Sequence, residues 1–145
     1  MNIFKIDNND IADIRPLWEE LNSLHERVSN NFKQNFSNFS FEKRISVFKD
    51  RDSFVVFIAK DNKYLIGYCI ASVKGSDGEI DSIFIDASHR RMGIGEKLMA
   101  SAEAWLNEKN VNNIHVYIAE GNESVLGFYE KLGFLHRFTV MEKKS

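Results

Sequence analysis

The sequence predicts an α/β (α+β) protein with a mixed β-sheet flanked by helices on both faces. Three observations lead to this prediction. The chain has 145 residues, a length typical of one domain, so residues 1–145 are expected to form a single domain. Segments of strand character and segments of helical periodicity follow one another in the order β-α-α-β-β-β-α-β-α-β. Three of these strands are joined by tight turns, which favours antiparallel pairing within a larger sheet.

The first half of the chain combines one alternating segment, two stretches of helical periodicity and one apolar run. The predicted elements are a strand at 2–6, a helix from Asp10 or Asp13 to Val28, a helix from Ser40 to near Asp50, and a strand at 53–60. The aspartates and the serine are expected to cap their helices by accepting hydrogen bonds from unpaired N–H groups. Pro16 is expected in the first turn of its helix, or at a kink. Residues 30–40 carry phenylalanines among asparagines and serines, and are either a helical turn or a mobile loop.

The second half of the chain alternates strands with helices. Strands are predicted at 64–74, 79–85, 113–118 and 134–141, and helices at 94–106 and 124–132. Turns rich in Asp, Asn, Ser and Gly join the first of these strands to its neighbours. In the first helix, apolar residues recur at i, i+3 and i+4 and would face the core. Gly133 is expected to end the second helix as a C′ glycine.

Charge and composition exclude several classes of protein. The formal net charge is −2 at pH 7, whereas a general nucleic-acid-binding protein carries a basic excess. No run approaches about 18 apolar residues, and the N-terminus lacks the apolar stretch of a signal peptide, so we expect a cytoplasmic protein without a membrane segment. Cys69 is the only cysteine, and the four histidines lack metal-ligand spacing, so no metal site is expected.

The segment 83–98 carries the strongest functional signal. It reads as an apolar strand, a basic turn with two glycines, and the opening of a helix. Gly93 and Gly95 have no side chains, so a ligand can approach the backbone at these positions. The first N–H groups of a helix lack partners and lie at the positive end of its dipole, and Arg90 and Arg91 add two full charges. Together these features predict a binding site for a phosphate or pyrophosphate.

The spacing of the glycines indicates which polyanion is bound. A dinucleotide motif requires glycine where Leu98 stands, and a P-loop requires lysine where Glu96 stands, so nucleotide-binding domains of other folds are disfavoured. The spacing present, Arg-x-x-Gly-x-Gly at 90–95, resembles the acetyl-CoA signature of the GCN5-related N-acetyltransferase (GNAT) superfamily. The segment 122–134, Asn-Glu-Ser-Val-Leu-Gly-Phe-Tyr-Glu-Lys-Leu-Gly-Phe, is similar to a late motif of the same family. The order of predicted elements also matches the GNAT fold, a central, twisted, mostly antiparallel sheet flanked by helices.

The resemblance implies an N-acetyltransferase that moves the acetyl group of acetyl-CoA to a primary amine of a small molecule or peptide. The amine would attack directly in a ternary complex, with acetyl-CoA as co-substrate and no metal. Main-chain N–H groups of the glycine-rich turn would hold the pyrophosphate, and Ile85 or a neighbour would polarise the thioester carbonyl. The cofactor-binding residues implied are Ile83, Phe84, Ile85, Arg90, Arg91, Met92, Gly93, Ile94, Gly95, Glu96, Asn122 and Tyr129.

The resemblance and the strand pattern also indicate candidates for proton transfer. Tyr129 matches the tyrosine of the late motif, and a phenol with a pKa near 10 can protonate a departing thiolate. Its alternative role is core packing beside Phe128. Glu79 and Asp81 lie two apart on one strand and therefore share a face, so either could take the proton of the amine, or both could be surface carboxylates. Asn122 would bind the pantetheine arm or cap the following helix.

Three questions stay open at this level. A non-catalytic acyl-CoA-binding sensor would keep Arg90, Gly93 and Gly95 without needing Tyr129 or the carboxylates, although the presence of Tyr129 favours the enzyme. The acceptor amine is not identified, because no motif occurs in the segments that would select it, although His25 could line its pocket with Phe32 and Phe36. A homodimer through the apolar C-terminal strand is a further option.

Overall fold

A five-stranded mixed sheet lies at the centre of the structure, a computed structural model that describes residues 2–144. Met1 and Ser145, which the predicted domain includes, lie outside the described residues. The strands are β1 (Asn2–Ile6), β2 (Ser53–Asp61), β3 (Tyr64–Lys74), β4 (Asp77–Ile85) and β5 (Asn113–Val116), in the spatial order β1-β2-β3-β4-β5. All neighbouring pairs are antiparallel except β4 and β5, which are parallel. The predicted fold class is confirmed.

Five α-helices connect and cover these strands in the described part of the chain. They are α1 (Arg15–Val28), α2 (Lys33–Ser37), α3 (Phe41–Ser46), α4 (Ile94–Glu108) and α5 (Leu126–Lys131), with 3-10 turns at Asn8–Ile14, Val47–Asp50, Ala87–His89 and Glu123–Val125. Across residues 2–144, no helix has both the length and the apolar character needed to cross a membrane.

Two helix starts show how local hydrogen bonding set the boundaries. Ser40 caps α3 as predicted, since its hydroxyl accepts a hydrogen bond from the N–H of Lys43 at 3.1 Å. The cap predicted at Asp10 or Asp13 is wrong. Asp7 instead accepts from Asn9 N at 2.8 Å and opens a 3-10 turn, so the α-helix begins only at Arg15, with Pro16 in its first turn.

The two faces of the sheet are covered by different helices. One face packs against α4, whose residues Leu98, Met99, Ala102 and Leu106 are fully buried among side chains of β2, β3 and β4. The opposite face packs against α1 and α3, with Trp18 and Phe41 in contact at a ring separation of 5.6 Å. The apolar periodicity of the sequence therefore produces a three-layer arrangement of helix, sheet and helix.

The strand predicted at 134–141 does not form, and β5 ends at Val116 rather than at 118. Phe134 N still bonds to Tyr129 O at 3.1 Å after Gly133, but the segment that follows joins no strand of the described sheet. Leu135, Phe138, Val140 and Met141 keep 75% to 92% of their surface exposed. These residues have strand propensity but pair with none of the described strands, and propensity alone does not satisfy backbone groups.

We expect Leu98→Ala to lower the free energy of unfolding by about 2–5 kcal/mol, because it leaves a cavity between α4 and the sheet. Leu98 is fully buried, whereas its neighbour Lys97 is exposed, so Lys97→Ala is a matched control with an expected change within about 0.5 kcal/mol. Urea unfolding of both variants measures the difference. Equal stabilities of the two variants would contradict the packing described.

Candidate active site

The site is a cavity that opens where β4 and β5 part. The two strands pair only from Asp77 to Ile80 on β4, opposite Asn113 to Val116 on β5. At the same point the register of β3 with β4 shifts, so that Asp81 is the extra residue of a β-bulge. Beyond it, β4 continues to Ile85, while the chain after β5 diverges from it.

The cavity has a volume of about 570 Å³ and reaches from α1 and α2 to the first turn of α4. Its lining from α1 to α3 is Trp18, Leu21, Asn22, Leu24, His25, Val28, Phe36, Phe39 and Arg44. Its lining from β4 and the following residues is Ile80 to Ile85, Arg90 and Gly95, and from β5 onward it is Val116 to Ala119, Gly121, Asn122, Ser124, Val125, Phe128 and Tyr129.

The glycine-rich turn leads directly into α4. Arg91 and Gly93 both have positive φ angles, 66° and 77°, which curl the chain before the helix begins at Ile94. The N–H of Lys97 makes the first helical bond, to Gly93 O at 3.2 Å, so the preceding N–H groups of this turn are left for another acceptor. A Cβ on Gly95 would lie 3.1 Å from the ring of Phe128, so glycine lets α5 approach the helix start. This backbone geometry fits a pyrophosphate.

The twelve residues predicted to bind the cofactor fall into two groups in the structure. Ile83, Phe84, Ile85, Arg90, Gly95, Asn122 and Tyr129 line the cavity. Arg91, Met92, Gly93, Ile94 and Glu96 form the adjoining turn and the first turn of α4, where the side chain of Ile94 is buried in the core. Arg90 folds back over the end of β4, with its Nε donating to Ile85 O at 3.1 Å and its guanidinium 5.2 Å from the ring of Phe84.

The two candidate bases have different surroundings. Glu79 is paired with Arg51 at 2.9 Å, has His115 at 3.5 Å, and does not line the cavity. Asp81 lines the cavity, but both of its carboxylate oxygens are covered by protein and lack a hydrogen-bond partner. Its burial raises the pKa to about 7; the nearby Ser72 hydroxyl, although outside hydrogen-bonding geometry, opposes the rise, and the negative charge of Glu79 adds to it.

Tyr129 lies on α5 between the rings of Phe128 and Phe134, 5.2 Å and 5.7 Å away, and is 7% exposed. Burial raises the pKa of its phenol well above the ordinary value, so the group keeps its proton at neutral pH. Cys69, on β3, is fully buried in the core beneath the site, and its pKa is likewise raised by burial. In the described residues, no cluster of three or more His, Cys, Asp or Glu side chains could hold a metal ion.

His25 and Asn122 meet across the cavity, with Asn122 Nδ2 3.5 Å from His25 Nε2. Asn122 makes no side-chain cap to the helical turn that follows it, so its amide is directed to other partners. Burial lowers the pKa of His25, whose ring lies 5.2 Å from that of Phe36. Phe32, which the sequence analysis placed with them, does not line this cavity but an adjoining recess of about 480 Å³, which shares Phe36 and Phe39 with it.

A joint between the β5–α5 loop and the end of α1 closes one side of the cavity. Glu120 accepts hydrogen bonds from the Ser29 hydroxyl at 2.8 Å and from the N–H groups of Asn30 and Asn31 at 2.8 and 3.0 Å. Gly121, with φ of 93°, lies so close that a Cβ would be 2.2 Å from Val28 O. Sequence reasoning gave this joint no role, and a glycine next to an acidic residue in a loop was its only local signal.

One cavity thus brings together the glycine-rich start of α4, the slot between the parting strands and the phenol of Tyr129. The sequence model of the Acetyltransferase (GNAT) family matches residues 15–134. The chain therefore belongs to this family, and it is an acyltransferase of the GNAT type.

Three similar proteins illustrate the relationship. Mycothiol acetyltransferase of Thermobispora bispora is 30% identical over 91 residues, which cover 58% of this chain, and the chain spans only 30% of that enzyme. An acetyltransferase of Yersinia pestis is 21% identical over 141 residues, 97% of this chain and 92% of the relative. The PaiA N-acetyltransferase of Thermoplasma acidophilum, solved with coenzyme A, has a TM-score of 0.75 at 19% identity, covering 96% of this chain and 92% of that one.

We expect Gly121→Ala to destabilise the protein by about 2–3 kcal/mol, because a side chain is strained at this φ and collides with the backbone of Val28. Two glycines provide controls. Gly133→Ala has a similar φ of 95° but open space, so it isolates the conformational strain. Gly127→Ala has neither constraint and lies in α5, so it is expected to be neutral or slightly stabilising. Thermal unfolding ranks the three, and a Gly121 variant as stable as the Gly127 variant would contradict the close contact.

Proposed function

We propose that the protein transfers the acetyl group of acetyl-CoA to the primary amine of a small molecule or peptide, in a ternary complex. The observation that carries this proposal is a single cavity lined by Gly95 at the start of α4, by Asp81 and by Tyr129. The proposed anion-binding turn, the candidate base Asp81 and the candidate acid Tyr129 thus all border the same cavity. Membership of the GNAT family and the coenzyme A complex of PaiA N-acetyltransferase support the choice of donor.

The residues present fit the donor. The unpaired N–H groups of the glycine-rich turn and the first turn of α4 would hold the pyrophosphate, and the free edge of β4 beyond Ile80 would hold the pantetheine arm. When bound, acetyl-CoA supplies the acetyl thioester. Backbone N–H groups near Ile85, which lines the cavity with Asn122, would stabilise negative charge on the thioester carbonyl oxygen.

Tyr129 is the proposed general acid. Its Oη holds a proton that can pass to the sulfur of a departing thiolate, and its raised pKa ensures that this proton is present at neutral pH. Its buried position between two aromatic rings fixes the direction of the phenol. The same packing is also the structural role that the sequence left open, and the two roles are compatible.

Asp81 is the proposed proton acceptor. A carboxylate with a pKa of about 7 is near the optimum for a general base at neutral pH. Because its oxygens are covered by protein in this conformation, the Asp81 side chain would have to turn toward the cavity before the amine or a bridging water could pass it a proton. Glu79 is disfavoured, since Arg51 engages it away from the cavity.

We expect Tyr129→Phe to lower kcat by about 10²-fold, because the departing thiolate loses its proton donor. Binding of acetyl-CoA should persist, as the anion-binding turn is unchanged. Release of CoA measured with a panel of amines gives the rate, and calorimetry gives the affinity. Tyr64→Phe, on the exposed β2–β3 hairpin, is the control and should leave both unchanged. An unaltered kcat would remove Tyr129 as the acid, and acetyl-CoA binding without turnover on any amine would favour a sensor.

A pH profile tests Asp81. In the wild type, kcat/KM should fall as the pH drops through about 7, because Asp81 becomes protonated and cannot accept a proton. Asp81→Asn should lower the rate and abolish this limb. Glu79→Gln removes a neighbouring negative charge that raises the pKa of Asp81, so the limb should move to lower pH. A limb that stays in place in both variants would assign it to another group.

A further inference from the structure

We infer that the acceptor is a monoamine on an aromatic body, and that polycationic amines such as polyamines and aminoglycosides are poor acceptors. This inference rests on the proposed function and concerns the part of the cavity lined by α1, α2 and α3, which we call the acceptor wall. Its residues that matter here are Trp18, Leu24, His25, Phe36, Phe39 and Arg44.

The acceptor wall is aromatic and fixed in place. Trp18 is 5% exposed and packs edge to face on Phe39, with their ring centroids 5.8 Å apart. Asn22, which also lines the cavity, donates its amide to Phe36 O at 2.8 Å and to Phe39 O at 3.4 Å, and so ties α2 to α1. The Asn22 amide nitrogen is thus engaged, and apart from His25 and Arg44 the wall offers a ligand mainly rings and aliphatic side chains.

The charges that line the cavity disfavour a second ammonium group. Asp81 is the one carboxylate in the lining formed by the described residues, and its oxygens are covered. The same lining contains two positively charged guanidinium groups, those of Arg44 and Arg90. Burial lowers the pKa of His25 and so favours its neutral form. Glu120 is engaged by Ser29 and two backbone N–H groups. A second cationic group on the acceptor would therefore lose water without gaining a counter-charge.

Arg44 strengthens this conclusion because of where it is held. Its Nη2 donates to the backbone carbonyl of Asp81 at 2.5 Å, and its guanidinium lies 5.5 Å from the ring of Phe48. These contacts keep a positive charge beside the position that the reacting amine must reach. One neutral amine, the form that attacks an acetyl group, is tolerated there, whereas additional ammonium groups are repelled.

The test compares three amines with the intact protein and acetyl-CoA: 2-phenylethylamine, butylamine and spermidine. We expect kcat/KM for 2-phenylethylamine to exceed that for each of the others by about tenfold or more, from burial of the ring on the acceptor wall and from repulsion of the polyamine. Phe36→Ala should raise KM for 2-phenylethylamine by about tenfold with little change in kcat, and Phe36→Leu should have a smaller effect. Phe32→Ala is the matched control, since it truncates a phenylalanine of the same segment that lies outside this cavity.

The outcomes separate this inference from the proposed function. Turnover of spermidine or butylamine equal to that of 2-phenylethylamine would overturn the inference and leave the acetyltransferase proposal intact. An identical rise in KM for Phe32→Ala and Phe36→Ala would also overturn it, because the effect would then not come from the acceptor wall. Acetyl-CoA binding without transfer to any amine would overturn the proposed function, and the inference with it.

Discussion

The parting of two parallel strands is the constraint on which the rest of the site depends. β5 has four residues and pairs with β4 only as far as Ile80, although β4 continues to Ile85. On that side, the final part of β4 presents backbone groups without a strand partner among the described residues. Such groups require other acceptors and donors, and a ligand lying in the slot can supply them. The cavity exists because β5 stops pairing with β4 before β4 itself ends.

The arrangement around this slot follows from the way the sheet is held. β4 is paired along its whole length with β3 on its other edge, and α4 covers one face with fully buried side chains. The strand therefore keeps its position even where β5 has left it. The bulge at Asp81 lies in the lining of the cavity, and the pKa of this covered carboxylate is raised by burial more than by any charged neighbour.

Much of this architecture could be predicted from the sequence, because its signals are local. The Arg-x-x-Gly-x-Gly spacing lies within six residues, and the cap of α3 is a single serine. β3 is one uninterrupted stretch of strand-forming residues with a turn at each end. The segment 134–141 shows the limit. It has the same local character as a strand, but pairing requires an edge at the right distance, and local sequence carries no information about that.

The environment of the candidate site was harder to predict for the same reason. Glu79 and Asp81 do share a strand, yet Arg51 neutralises one of them and a bulge buries the other, and these partners come from distant parts of the chain. Arg44 and Glu120 belong to no motif, and their roles follow only from the packing of α1 and α3 against the sheet. Motifs of the chain thus indicated where the site lies, while its electrostatics depended on tertiary contacts.

The two walls of the cavity come from separate parts of the chain, and this has an evolutionary consequence. One wall is drawn from residues 18–44, and the other, with the glycine-rich turn and the phenol, from residues 80–129. The links between them include the hydrogen bonds that Glu120 accepts from residues 29–31, the bond from Arg44 to Asp81 O, and the contact of Asn122 with His25. Substitutions at 32–39 can therefore accumulate, by natural drift or by directed evolution, without disturbing the other wall, provided that Ser29 and Glu120 are kept. Residues 32–39 could thus change the acceptor that the protein recognises while the rest of the fold stays the same.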